Sequence, residues 1–298
     1  MSDLAAAAML YDHDGSDLDD VGHWSIRKND IVEYYAAVYA RITENAKAHF
    51  TRTYIDGFAN RGFGRLKGTD QIVKGSALRV LDMPHPFDRY VFVEMDAKRV
   101  ADLRKNVGKR PNVEIHQEDT NLVLPITLLP SVRYDRYERA LCFLDPYNME
   151  GLRWETIFAA GSNQAVDAII HFPTMDAHRT VLRKDQGKIT LPMRARMNAY
   201  WGDESWLDDV YTTDGMLPLD GLSGRKREPE ALIKAFRKRL VEHAGFAIVS
   251  NGIPMRNSKG NIIYHLIVCS HNKKAADVLK PLEKHFNPNC LISADPKH

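Results

Sequence analysis

Asp145, Pro146, Tyr147 and Asn148 follow the apolar run Ala140-Leu141-Cys142-Phe143-Leu144, as a strand-end loop follows a buried strand. A carboxylate, a carbonyl on a rigid turn and an aromatic face together can hold a planar amino group against an electrophilic methyl. Tyr147 would stack on the ring carrying the amine. Asp145 and the Pro146 carbonyl would accept its hydrogens, and the proline fixes φ so that both point outward. The chemistry this order of residues predicts is N-methyl transfer. Asp-Pro-aromatic is also an ordinary turn signal, so its meaning depends on the strand ends that come before it.

Three earlier apolar runs end in polar turns of a matching kind. Thr53-Tyr54-Ile55 leads into Asp56-Gly57-Phe58-Ala59-Asn60-Arg61-Gly62. There glycine, and Asn60 as the next best residue at positive φ, let the backbone approach a nucleoside outside the strand's carboxyl end. Tyr90-Val91-Phe92-Val93 ends in Glu94-Met95-Asp96. Glu94 stands where a carboxylate accepts from ribose hydroxyls, and Asp96 reads as the N-cap of a helix carrying Val100, Leu103 and Val107. Val113-Glu114-Ile115-His116 ends in Gln117-Glu118-Asp119-Thr120. Asp119 either accepts from an adenine amino group or caps the next helix.

These turns need a sheet to bring them together. Ala168-Ile169-Ile170-His171-Phe172 is a fifth strand candidate, and the repeated strand-then-helix order predicts a mostly parallel sheet with helices on both faces. Ser25 reads as the cap of a first helix over about residues 26–47, with Ile31, Tyr34, Tyr35, Val38 and Ile42 on its apolar stripe. Phe246–Val249 and Ile262–Val268 flank the turn-rich Arg256-Asn257-Ser258-Lys259-Gly260-Asn261 and predict an antiparallel pair that finishes the sheet. Arg256 and Lys259 are either a solvated tip or a phosphate or partner contact. Two stretches exceed ordinary connections. Residues 61–74 read as a mobile loop, and about residues 175–225, rich in Arg, Lys, Met and Trp, as an inserted lid. Within it Trp201 and Trp206 are either core or base-stacking residues. His171 and His178 are structural or act as acid and base.

Composition narrows the classes. The 298 residues are 44% hydrophobic and 27% charged, with no apolar stretch near the ~20 residues that span a bilayer. The opening Leu4–Leu10 run has no basic residue before it and is shorter than most signal-peptide cores, so a cytoplasmic protein is expected. Cys142, Cys269 and Cys290 are odd in number and widely spaced, which predicts free thiols and neither a disulfide nor a metal cluster. Residues 1–23 hold six carboxylates and no Lys or Arg, and read as an acidic disordered leader. The remaining body, residues 24–298, has 41 cationic and 33 anionic side chains, a surplus that admits a polyanionic partner such as nucleic acid.

The ordered series of glycine turn, acidic end of the second strand, acidic end of the third and Asp-Pro-Tyr at the fourth resembles the Rossmann-like, class I S-adenosylmethionine-dependent methyltransferases. More narrowly, the chain resembles the three-Cys-motif partner (TcmP) family. That likeness lies in Trp24 with the first helix, Tyr54–Ala59, Gly75-Ser76, Phe87–Tyr90, Phe143–Tyr147, Phe172-Pro173-Thr174 and Pro254–Asn261. It implies a methyltransferase-like fold and S-adenosylmethionine held by Asp56, Gly57, Phe58, Asn60, Gly62, Glu94 and Asp119. It also implies a neighbouring three-cysteine, radical-type iron-sulfur protein, which the chain would either support as an accessory or accompany as an enzyme. Two positions depart from the pattern. Asn60 replaces a glycine and is followed by bulky Arg61, which either narrows the turn or brings a cation to the methionine carboxylate. Tyr147 follows a single proline rather than two, a shorter form that resembles enzymes methylating the exocyclic amine of guanine in transfer RNA.

Overall fold

The computed structural model describes residues 18–46, 49–184, 186–212, 225–226 and 229–286. Each apolar run predicted as a strand is one: β2 (Thr51–Asp56), β5 (Arg89–Val93), β6 (Val113–His116), β7 (Glu138–Leu144) and β8 (Val166–Phe172). They lie side by side in the order β6-β5-β2-β7-β8, all parallel. Next to β8 runs β13 (Ile262–Ser270), antiparallel. Beyond it β11 (Ile248–Val249) and β12 (Ile253–Arg256) pair with β13 as one broken strand. A parallel sheet closed by one reversed strand set inside its edge, with helices on both faces, is the Rossmann-like class I methyltransferase fold.

Side-chain alternation builds the two faces. Tyr54, Phe92, Leu141, Phe143 and Ile169 pack on one side against α1 (His23–Glu44), α2 (Ser76–Leu81), α3 (Ala97–Val107) and α9 (Ala275–Phe286). Ile55, Val91, Cys142, Leu144 and Ile170 pack on the other against α4 (Thr120–Val123), α5 (Trp154–Ser162), α8 (Pro229–Glu242) and the insertion. Cys142 and Cys269 are buried free thiols within strands, whereas Cys290 lies outside the described residues. The helix-face change falls at β2, between β5 and β7, and opens a crevice at the strands' carboxyl ends.

Four expectations need correction. The first helix starts at His23 with Gly22 as its cap, so Ser25 lies inside it. Its buried stripe is Asn29, Ile31, Val32, Tyr35, Ala36, Tyr39 and Ala40, while Tyr34 and Ile42 are exposed. The acidic leader is ordered by Leu18, because Asp19 meets Arg61 and Arg99 and Asp20 meets Arg65. Residues before Leu18 lie outside the described set. The stretch 61–74 is no loose loop: β3 (Phe63–Leu66) and β4 (Ile72–Lys74) form a small sheet with β1 (Asp20–Val21), held by the Asp20–Arg65 pair.

The described part of the insertion is packed onto the sheet. It comprises α6 (Leu191–Trp201), α7 (Trp206–Val210) and β9 (Tyr211–Thr212), which pairs with β10 (Arg225–Lys226). Tyr200, Trp201 and Trp206 are fully buried, and the two indoles donate to Ser205 Oγ (3.0 Å) and Asn198 Oδ1 (2.8 Å). Trp201 therefore presents no face to a base, which corrects its assignment as a substrate or partner contact. Arg239 of α8 ties the insertion down through the Trp201 carbonyl, Ser205 and Asp203 while lying over the Trp154 ring. No helix among the described residues is long and apolar enough to cross a membrane.

Candidate active site

The parallel register delivers the predicted turns to one rim. Asp56 pairs with Phe92 and Phe143 on either side, so the turns after β2, β5 and β7 leave the sheet at the same level, with that after β6 beside them. Asp56 itself is fully buried. Its Oδ1 accepts from the Phe58 amide (3.1 Å) and its Oδ2 from Ser76 Oγ (2.6 Å). Burial pushes its pKa up to about 6, against the lowering effect of those two hydrogen bonds. Asp56 thus stiffens the turn from below and does not face a ligand.

The turn is closely tied. Gly57 N–H donates to the Phe143 carbonyl, Ala59 N–H to that of Val93, and the Arg61 amide to Asn60 Oδ1, with Thr120 Oγ1 donating to the Gly57 carbonyl. Asn60 adopts φ 53° and Gly62 φ 87°. A Cβ on Gly62 would lie 2.8 Å from Leu78, so this glycine is required by both conformation and packing. Arg61 is buried and pairs with Asp102 (3.2 Å), which turns its charge into α3 and away from a methionine carboxylate. Phe58 is half-buried beside the turn.

Glu94 and Asp119 stand half-exposed at the ends of β5 and β6. Glu94 Oε1 accepts from the Asp96 amide (2.9 Å), and Asp96 caps α3 through the Arg99 amide (2.8 Å), as its position predicted. Asp119 caps α4 through the Asn121 amide (2.8 Å). Each carboxylate uses one oxygen in these bonds and keeps another for hydroxyl or amine donors. This acceptor set, with the half-buried Phe58 ring, fits the adenosine part of a nucleoside cofactor.

At the end of β7 the arrangement is richer than the sequence indicated. Asp145 Oδ2 accepts from Lys28 Nζ of α1, and Asp145 Oδ1 is 2.8 Å from His171 Nδ1 at the end of β8. Burial alone would raise the Asp145 pKa, but the Lys28 ammonium and the His171 hydrogen bond outweigh it and hold the carboxyl well below the usual range. His171 packs on the Tyr264 ring (centroids 4.0 Å apart), and its carbonyl accepts from Tyr200. Pro146 is buried, and Tyr147 is 97% exposed. Lys28 escaped the sequence reading. Its signal was a lysine in line with the buried stripe of α1, seven positions before Tyr35 and three before Ile31, a half-buried site where a cation requires a partner.

The β12–β13 tip rises at the same rim, since His265 pairs with Phe172 and donor-acceptor contact joins His265 to Thr174 (2.7 Å). Burial lowers the His265 pKa to about 4, with Arg256 and His178 adding to the effect, so the ring is neutral at pH 7. Arg256 is bonded to the Gly260 carbonyl of its own turn, and Asn257 Oδ1 accepts from the Lys259 and Asn261 amides. Lys259 is exposed at the tip. A surface hollow of about 530 Å³ bordered by Pro130, Tyr134 and Asn163 lies before β7 and β8, at the opposite ends of the strands. Among the described residues no group of three or more His, Cys, Asp or Glu could hold a metal ion.

No family model and no curated protein matches the chain. Solved structures do resemble it. Protein LPL1258 from Legionella pneumophila is 13% identical over 93% of this chain and 95% of its own, with a TM-score of 0.50. The CurJ carbon methyltransferase is 13% identical over 81% of this chain and 54% of its own, TM-score 0.42. The methyltransferase domain of bacterial CtHen1 is 9% identical over 82% and 98%, TM-score 0.38. At 13% identity the likeness to the Legionella protein is one of fold.

Proposed function

We propose that the chain binds S-adenosylmethionine at the carboxyl ends of β2, β5 and β6 and methylates an exocyclic amine of a nucleobase or related heterocycle. The observation that carries this reading is the convergence of the Asp56–Gly62 turn, Glu94, Asp119 and Asp145-Pro146-Tyr147 on one rim of a class I sheet. When bound, the cofactor supplies an electrophilic methyl on a sulfonium. Glu94 would hold the ribose hydroxyls and Asp119 the adenine amine. Tyr147, exposed and one residue beyond a buried proline, would stack on the incoming ring. Asp145, kept ionised by its neighbours, and the Pro146 carbonyl would accept the amine hydrogens and favour its pyramidal, attacking form. The test is calorimetry with S-adenosylmethionine and its demethylated product, then tritium transfer to RNA, DNA and cell extract. Micromolar binding with label in a nucleic acid is the expected outcome, and a wild type that binds neither ligand removes the reading.

A second reading is favoured by the engagement of both Asp145 oxygens, by Lys28 and His171. In it the chain keeps the nucleoside site but serves as a non-catalytic partner of a three-cysteine iron-sulfur protein. Cofactor binding without methylation of any nucleic acid, protein or extract, together with recovery of such a protein in a pull-down, would favour it over the enzyme.

A further inference from the structure

The Lys28–Asp145 pair joins the first helix to the end of β7 across the crevice, with side chains only 15% and 16% exposed. It occupies the oxygen, Oδ2, that a substrate amine would need. Meanwhile the cation of the turn after β2 is not at hand for an α-carboxylate. Its Gly57, Phe58, Ala59 and Arg61 amides are committed internally, and the Arg61 guanidinium is committed to Asp102. An amino-acid carboxylate arriving at this rim therefore finds its cation in Lys28.

We propose that Lys28 is a positioning residue that exchanges partners: it covers Asp145 Oδ2 until the α-carboxylate of the cofactor's methionine end draws its ammonium away, which exposes Asp145 to the substrate amine. This rests on the S-adenosylmethionine reading above. The exchange keeps charge balanced, since one carboxylate replaces another at the ammonium, and Asp145 stays anchored through His171. It makes cofactor binding precede substrate binding, because the amine acceptor is masked without it.

The probes are S-adenosylhomocysteine and 5′-methylthioadenosine, which share adenosine and a thioether while only the first has the zwitterionic amino-acid end. Calorimetry on the full chain should show a wild-type preference for the first of at least about tenfold, the worth of a charge-assisted contact. Lys28→Met should abolish that preference and leave methylthioadenosine binding unchanged, while Lys28→Arg retains it. Asp145→Asn is the discriminating variant. With no carboxylate to be drawn from, Lys28 should bind S-adenosylhomocysteine about threefold or more tighter, an effect opposite to that of a merely structural ion pair. Circular dichroism confirms that each variant is folded. An unchanged preference in Lys28→Met, or weaker S-adenosylhomocysteine binding in folded Asp145→Asn, overturns the exchange while leaving the cofactor reading intact. A wild type that binds neither probe overturns the reading itself, and the exchange with it.

Discussion

Tyr147 and Asp145 are neighbours in sequence with opposite energetic roles. Tyr147 is almost wholly in solvent, so Tyr147→Ala should leave the thermal midpoint unchanged while reducing turnover efficiency at least ~100-fold, about 2.7 kcal/mol of transition-state stabilisation. Thermal melts beside single-substrate kinetics check both halves. A normal rate would move the stacking face elsewhere. Asp145 instead holds a half-sealed cluster, and Asp145→Ala strands the Lys28 ammonium and the His171 ring. The expected loss is about 3 kcal/mol of folding stability in a denaturant titration, the scale seen when one partner of a buried pair is removed. Its lowered pKa has a defined sign. The stability from the ionised pair is present above the unfolded carboxyl value and is lost as pH falls below it.

Between elements, the connection of β8 to β13 carries a half-buried carboxylate. Asp167 accepts from Ser270 Oγ (2.8 Å) and the His271 amide (3.1 Å), and burial pushes its pKa up to about 6 against those bonds. A raised folded pKa means stability that is full below the unfolded value, near 4, and declines as pH rises through about 6. Asp167→Asn should therefore stabilise the protein at pH 8, by at most roughly 3 kcal/mol, and give no gain at pH 4. Denaturant midpoints at the two pH values measure it, and equal effects at both would remove the titration account. The insertion gives the other prediction at this scale. Trp206 is fully buried and bonded to Asn198 of α6, so Trp206→Ala should cost about 3–5 kcal/mol. Amides of α6 and α7 should resist hydrogen exchange nearly as well as β7, since tight packing here replaces the mobile lid predicted from the basic, Trp-rich stretch. Fast exchange throughout 191–210 would restore the lid.

For the molecule as a whole, the ligand and the fold are linked. At a hundredfold excess over its dissociation constant, S-adenosylhomocysteine should add about 2.7 kcal/mol and raise the midpoint by several degrees. Glu94→Ala should remove at least about 1.4 kcal/mol of binding, a factor of ten, in calorimetry. If Glu94→Ala bound as the wild type does, the ribose would have to be held elsewhere on the rim. The midpoint shift reports on the whole sheet because the turns after β2, β5 and β6 are anchored through Asp56, Asp96 and Asp119, each bonded to backbone amides.

The five parallel strands, the antiparallel finish and the polar strand ends were legible in the chain, because apolar runs and turn residues are local properties, whereas β1, β3 and β4, which close a small sheet of their own, were not. So was Asp96 as a helix cap, since a cap is settled within one turn of chain. What a side chain meets from a distant element was not. Lys28 and Asp145 lie 117 positions apart, and His171, which bonds Asp145, and Tyr264, which packs on His171, are brought there only by the sheet. Trp201 and Arg61 have residue types that suit a ligand, yet packing and Asp102 turn them inward. Local sequence set which groups reach the rim, and the tertiary fold decided which of them are already paired, because pairing depends on burial and on partners brought close only by the folded chain.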